Sequence, residues 1–119
     1  MLSPFYRHLL VLSLFLPLSA LAAPQGEVLY QRLCSSCHGF DGEGRSGLAP
    51  ALVDSKLVQG EQAALNEVVL NGREDTLMVA FRRNLSAAEL AAVITYVRQR
   101  FGGDPEALIE AGDLRGMLQ

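Results

Sequence analysis

The sequence predicts an all-α domain of three main helices joined by long loops, on three observations. Apolar residues recur at helical spacing in three separate stretches. No stretch alternates apolar and polar residues with the two-residue period of a strand. A Cys-x-x-Cys-His run, Cys34-Ser35-Ser36-Cys37-His38, closes the first helical stretch.

Ahead of that domain the chain reads as a secretory signal. Arg7 precedes an apolar run from Leu9 to Leu21, interrupted by Pro17, and Ala20-Leu21-Ala22 is a small-residue cleavage site. Cleavage after Ala22 divides the sequence into a signal peptide (1–22), a domain (23–103) and a C-terminal short helix with a tail (104–119). An uncleaved membrane anchor is the alternative, but the run falls short of the roughly 20 residues that span a bilayer. A periplasmic, exported protein with no stable membrane insertion after cleavage is therefore expected. Of 119 residues, removal of 22 leaves 97, with nine Lys and Arg against thirteen Asp and Glu, a formal charge of −4. That balance argues against nucleic acid as a partner.

From Gly26 the apolar positions Leu29, Tyr30, Leu33 and Cys37 define one face of helix one, with the Cys-x-x-Cys-His run at its end. Gly26 costs a helix about 1 kcal/mol relative to alanine, which predicts close approach of another helix there, with fraying near a new terminus as the plainer explanation. Residues 39–60 hold five glycines and Pro50 and read as one long loop. Such a loop is uncommon in a compact domain unless it covers something, and here its leucines, Leu52 among them, are expected to pack on a cofactor. Helix two spans Glu61 to Asn71, with Leu65, Val68 and Val69 on one face, Gln62, Asn66 and Glu67 on the other, and Gly72 as its left-handed stop. After a polar loop from Arg73 to Leu85, Ser86-Ala87-Ala88-Glu89 is a capping box that opens helix three. Its stripe is Leu90, Val93, Ile94, Val97 and Phe101, ended by Gly102-Gly103. Asp104 as cap and Pro105 at the first helical position predict a short helix to about Ala111. The tail beyond it either docks or stays loose.

Two thiols three residues apart with an imidazole next door form the c-type haem attachment pattern. The two sulfurs of Cys34 and Cys37 make thioethers to vinyl groups on one edge of the macrocycle, which sets the His38 side chain under the iron. A disulfide of the thioredoxin-like kind wants a βαβ setting, whereas helical patterns flank this motif. Zinc would find three ligands crowded into five residues, with no other Cys or His after residue 22. His8 lies in the signal, so His38 is the one nitrogen ligand, and a sixth ligand, if this chain supplies it, must be of another residue type, for which methionine is the natural candidate. Met78 and Met117 are the candidates. Met78 is favoured because it lies in a polar loop, where a buried thioether needs a purpose, whereas methionine in the apolar tail is ordinary packing.

At this point the sequence resembles the small monohaem class I c-type cytochromes. Gly26 and Tyr30 stand eight and four residues before Cys34, where that family crosses its first and last helices, and Val93 and Tyr96 look like the partners on the last helix. Pro50 stands twelve residues after His38, where the family's proline carbonyl accepts from the histidine's other ring nitrogen. Met78 to Ser86 matches the family's segment from the axial methionine to the last helix, except that Val79 replaces the usual proline. The resemblance implies a cytochrome c-like domain wrapped around one covalent haem c, attached at Cys34 and Cys37 and ligated by His38 and Met78. Pro50, Leu52, Tyr30, Phe81 and Tyr96 are expected behind the ligands and around the haem, and Arg45 is the candidate contact for a propionate. It further implies an electron carrier between periplasmic redox proteins rather than an enzyme. A haem enzyme or gas-binding sensor with an open or displaceable sixth ligand is the alternative. Arg73, Arg82 and Arg83 bracket Met78 and are candidates for steering an acidic partner, although Glu74 and Asp75 among them fit a merely solvated mixed loop.

Overall fold

The fold is organised by its best-specified helix, α5 (Ala87–Phe101). Its first turn carries the expected capping box: Ser86 Oγ accepts from the Glu89 amide at 3.3 Å, and the Glu89 carboxylate accepts from the Ser86 amide at 2.8 Å. These reciprocal bonds satisfy donors that a helix start otherwise leaves to water. The predicted stripe is the buried one, Leu90, Val93, Ile94, Val97 and Phe101, with Ala91 added to it. The structure, a computed structural model, describes residues 25–119, so the signal and its cleavage site lie outside the described residues.

Five shorter helices surround α5: α1 (Gly26–Leu33), α2 (Ser35–His38), α3 (Lys56–Gln59), α4 (Gln62–Asn71) and α6 (Ala111–Arg115). Among the described residues there is no strand, only an isolated bridge between Arg45 and Ala49. The expected all-α architecture is the observed one among the described residues. α1 crosses α5 at Gly26, where a Cβ would lie 2.1 Å from the Ala92 carbonyl oxygen and 2.8 Å from Tyr96 Cβ. Glycine is thus required by close helix approach, as its place in a helix predicts, and the atoms nearest it belong to Ala92 and the expected Tyr96. Below the crossing Tyr30, Tyr96 and Phe101 form an aromatic triangle with ring centroids 5.1–6.0 Å apart, within the range of favourable edge and tilted packing.

Four expectations need correction. Helix one is two helices, broken at Cys34, and at the break the Ser35 hydroxyl donates to the Gln31 carbonyl at 2.6 Å, a back-bond of the kind that bends helices. The 39–60 loop is not wholly irregular: Ser55 caps the single turn of α3, its hydroxyl accepting from the Val58 amide at 3.4 Å. Asn66 is on the buried side of α4, with Leu65 and Leu70, rather than on a polar face. No helix runs from Pro105 to Ala111. Side chains of α5 take the backbone groups it would need, since Gln99 donates to the Ala107 carbonyl at 2.7 Å and Thr95 Oγ1 accepts from the Ile109 amide at 3.0 Å. The strap they hold leads into α6, which buries Leu114, so the tail is docked.

Candidate haem site

The Cys-x-x-Cys-His run starts at the break after α1, at Cys34, and continues through α2. The Cys34 amide still bonds the Tyr30 carbonyl at 2.9 Å, and the His38 amide bonds the Cys34 carbonyl at 2.9 Å. The run is therefore held as one turn, with Cys34, Cys37 and His38 all half-buried. Both thiols are free. Burial, with the Cys37 sulfur beside it, pushes the Cys34 thiol up to about 11, so it is uncharged at neutral pH.

Tyr30 supports this turn from behind. Its hydroxyl donates to the Gly39 carbonyl at 2.6 Å, so the residue after the motif is tied to the helix before it. Burial, and then the nearby Cys34, Tyr96 and Asp41, push the phenol up to about 12.

The 42–53 segment folds back over the motif. Its turns are closed by Gly44 N–H to the His38 carbonyl at 2.7 Å and Leu52 N–H to the Gly42 carbonyl at 2.7 Å. A Cβ on Gly44 would fall 2.6 Å from backbone atoms of Pro50 and Ala51, which is why the chain can turn so tightly. This places the Pro50 carbonyl 2.9 Å from His38 Nδ1. A carbonyl only accepts, so His38 carries a proton on Nδ1, and Nε2 is the ring nitrogen left to act as a ligand.

Met78 lies in the loop between α4 and α5. Gly72, at φ 73, turns the chain out of α4; a Cβ there would fall 2.5 Å from the Met78 carbonyl oxygen. Arg73 N–H donates to that carbonyl at 3.1 Å, and the Met78 amide donates to Thr76 Oγ1 at 3.2 Å. Met78 is half-buried, while its neighbours Leu77 and Val79 are 66% and 61% exposed. Among the described residues no hydrogen bond uses the Val79 amide, so the position that commonly holds proline in the resembled family makes no use of an N–H here. Leu52 and Phe81 are partly buried against the core. Arg45 lines an open cleft of about 510 Å3 with Glu43, Pro50, Ala51 and Thr76. Met117 packs partly buried against the core, the ordinary role expected of it.

The residues present fit a covalently held porphyrin. The donor set comprises two free thiols and an imidazole with its Nε2 available, and the surrounding loops expose Phe40 (70%), Leu77 and Val79, apolar surface that a macrocycle would cover. Asn66, 3% exposed, has an amide oxygen with no partner among the described residues, in a core whose other buried side-chain polar atoms are satisfied. Sequence reasoning passed over Thr76 and misjudged the roles of Asn66 and Arg82. Arg82 is bonded internally to Asn71 Oδ1 at 2.7 Å and to the Met117 carbonyl, which removes it from the set of steering arginines. The signal for Asn66 was its place four residues before Leu70. Nothing in the sequence links Arg82 to a residue 35 positions later.

Fold and donor set together define a c-type cytochrome domain. The family described as "Cytochrome C oxidase, cbb3-type, subunit III" matches residues 21–97, and the chain belongs to this cytochrome c family. It is 38% identical over 103 residues to a dihydro-heme d1 dehydrogenase of Pseudomonas aeruginosa, covering 83% of this chain and 20% of that protein. It is 30% identical over 90 residues to the cbb3-type cytochrome c oxidase subunit CcoP of Azospirillum brasilense, covering 71% of this chain and 30% of that one. The chain thus spans a third or less of the length of these curated relatives. Among solved structures, the c-type cytochrome NirC is 31% identical with a TM-score of 0.52, covering 62% of this chain and 85% of that chain. The cofactor of this cytochrome c domain is one covalent haem c. Among the described residues no helix is long and apolar enough to cross a membrane.

Proposed function

We propose that this chain is a periplasmic carrier of single electrons, with one haem c attached through Cys34 and Cys37 and ligated by His38 and Met78. Haem c, when bound, supplies the one-electron couple. The chain's residues supply its ligands and environment. His38 offers Nε2, and the Pro50 carbonyl, 2.9 Å from Nδ1, fixes the tautomer and makes the imidazole a stronger donor. That hydrogen bond is the observation that carries the reading, because it leaves the only imidazole of residues 25–119 with no task except ligation. Met78 would supply a soft thioether as the second ligand, which would favour the reduced state and leave no vacant position for substrate. In this reading Pro50, Leu52, Tyr30, Phe81 and Tyr96 support the ligands and pack around the haem, and Arg45, which lines an open cleft, would meet a propionate.

The relatives are parts of larger redox proteins, one an oxidase subunit and one a dehydrogenase. Donor and acceptor of this chain are accordingly proposed to be periplasmic redox proteins of that kind. A second reading, a haem enzyme or sensor with a displaceable sixth ligand, rests on the 38% identity to the dehydrogenase.

Spectroscopy of the holoprotein separates the two. The carrier shows low-spin spectra in both oxidation states and a sulfur-to-ferric-iron charge-transfer band. Met78→Ala keeps the haem attached but abolishes that band, lowers the potential and admits carbon monoxide. A wild-type protein that is high-spin and binds carbon monoxide rapidly refutes the carrier reading; a normal band in Met78→Ala transfers the ligand role to Met117.

A further inference from the structure

The loop that carries Met78 has almost no packing of its own. Of residues 73–80 every one but Met78 is exposed. Its position must therefore come from polar stitches, and these converge where the loop rejoins α4. Phe81 N–H donates to the Val69 carbonyl at 3.2 Å and Arg82 N–H to the Leu70 carbonyl at 3.1 Å, so the exit of the loop is sewn to the last turn of the helix it left. At that seam the Arg82 guanidinium donates Nη1–H to Asn71 Oδ1 at 2.7 Å and Nη2–H to the Met117 carbonyl. Asn71 is in turn fixed by donating to Glu67 Oε1 at 2.5 Å.

We infer that Arg82 is the positioning residue of the methionine loop, and that it works by clamping the loop exit between the end of α4 and the C-terminal tail. The clamp needs fixed acceptors, and both are fixed. Asn71 ends α4, while the Met117 carbonyl sits on a tail whose Leu114 is fully buried and whose Met117 and Leu118 pack against the core. A guanidinium suits the task because its planar fork aims two donors in set directions, and charge-assisted bonds are roughly twice as strong as neutral ones. Hinging of the loop away from the iron requires those bonds to open, so retention of the thioether is coupled to docking of residues beyond the segment, 21–97, that matches the family.

This inference rests on Met78 being a ligand, and the probe is chosen to separate the two ideas. Imidazole is added to the ferric holoprotein, and the rate at which it displaces the methionine is followed through loss of the sulfur-to-iron band. Arg82→Ala is expected to raise that rate roughly tenfold or more, as loss of a charged hydrogen bond implies. Removal of residues 117–119 is expected to raise it by a smaller factor, and the two changes together no further than Arg82→Ala alone. Arg82→Lys, which keeps one donor direction, recovers part of the effect. Should Arg82→Ala fail to accumulate as holoprotein, Asn71→Ala and the shortened chain carry the same expectation. A rate within twofold of wild type in Arg82→Ala, or effects that multiply independently, overturns the clamp. Absence of the band in the wild type overturns the methionine ligation itself.

Discussion

Gly26→Ala tests the packing on which the whole domain rests. Alanine is the better helix former, by up to about 1 kcal/mol, so helix propensity alone predicts stabilisation. Packing predicts the reverse. The new methyl carbon would stand 2.1 Å from the Ala92 carbonyl oxygen, where ordinary contact begins near 3.4 Å, so about 1.3 Å must be found. The obstacle is helix backbone, which cannot rotate aside as a side chain can. α1 must therefore shift from α5, opening the Tyr30–Tyr96–Phe101 triangle; a radial gap of even 0.5–1 Å forfeits about a quarter to a half of each dispersion contact. Overpacking of this kind costs about 3 kcal/mol, the upper end of the usual range, leaving a net loss of about 2 kcal/mol after the propensity gain. In a domain of this size that is a fall of roughly 8–16 °C in Tm. Guanidinium unfolding of the ferric holoprotein, followed by far-ultraviolet circular dichroism, measures it as a lower midpoint with unchanged slope. An unchanged or raised midpoint would show that the crossing is not as close as described.

Tyr30→Phe removes the bond to the Gly39 carbonyl and is expected to cost about 1 kcal/mol in the same unfolding assay. It also changes the alkaline limb. Because the folded phenol titrates near 12 rather than 10.0, the folded state holds its proton longer than the unfolded chain does, so this stabilisation is complete below pH 10 and is lost as pH rises toward 12. The phenylalanine variant should lack that part of the decline, and an identical alkaline limb would refute the assignment. Ser86→Ala removes the hydroxyl that accepts from the Glu89 amide and should cost about 1 kcal/mol while leaving the visible spectrum unchanged. The Glu89 carboxyl is held below its usual range chiefly by the Ser86 backbone and hydroxyl, so its contribution is present above the unfolded-state value and fades as pH falls through the folded one. Arg73 and Arg83 remain exposed beside Met78. Reversing both to Glu should slow electron transfer with an acidic partner protein and flatten its dependence on ionic strength, and unchanged kinetics would leave the loop as solvated surface only.

Those parts of the fold that depend on local rules were legible in the sequence. The Ser86 capping box and the apolar stripe of α5 appear where the residue pattern puts them, because each is settled within one or two helical turns. The bond between His38 and Pro50, though it spans twelve residues, follows from the family resemblance rather than from spacing alone. What stayed hidden depends on competition between side chain and backbone. The first helix breaks at Cys34, where the Ser35 hydroxyl back-bonds the Gln31 carbonyl, and the pattern of Leu29, Tyr30, Leu33 and Cys37 carries no trace of that bond. Pro105 announces a helix, but the backbone groups of Ala107 and Ile109 are bonded instead by Gln99 and Thr95 of α5.

The same competition decides how the methionine loop is built without a proline after Met78. Proline would limit the loop by fixing one φ angle; this chain limits it with bonds instead. Gly72 permits the sharp exit, Thr76 and Arg73 close the turn around the Met78 backbone, and Arg82 pins the return. Of these only Gly72 is readable as a helix stop. The others are ordinary polar residues whose partners are fixed by tertiary structure, and one of those partners lies in the tail. A loop held in this way is as firm as its weakest exposed bond. Under the proposed ligation by Met78, the tail bears on the ligand through Arg82, and it belongs in any account of the reduction potential alongside His38 and Met78.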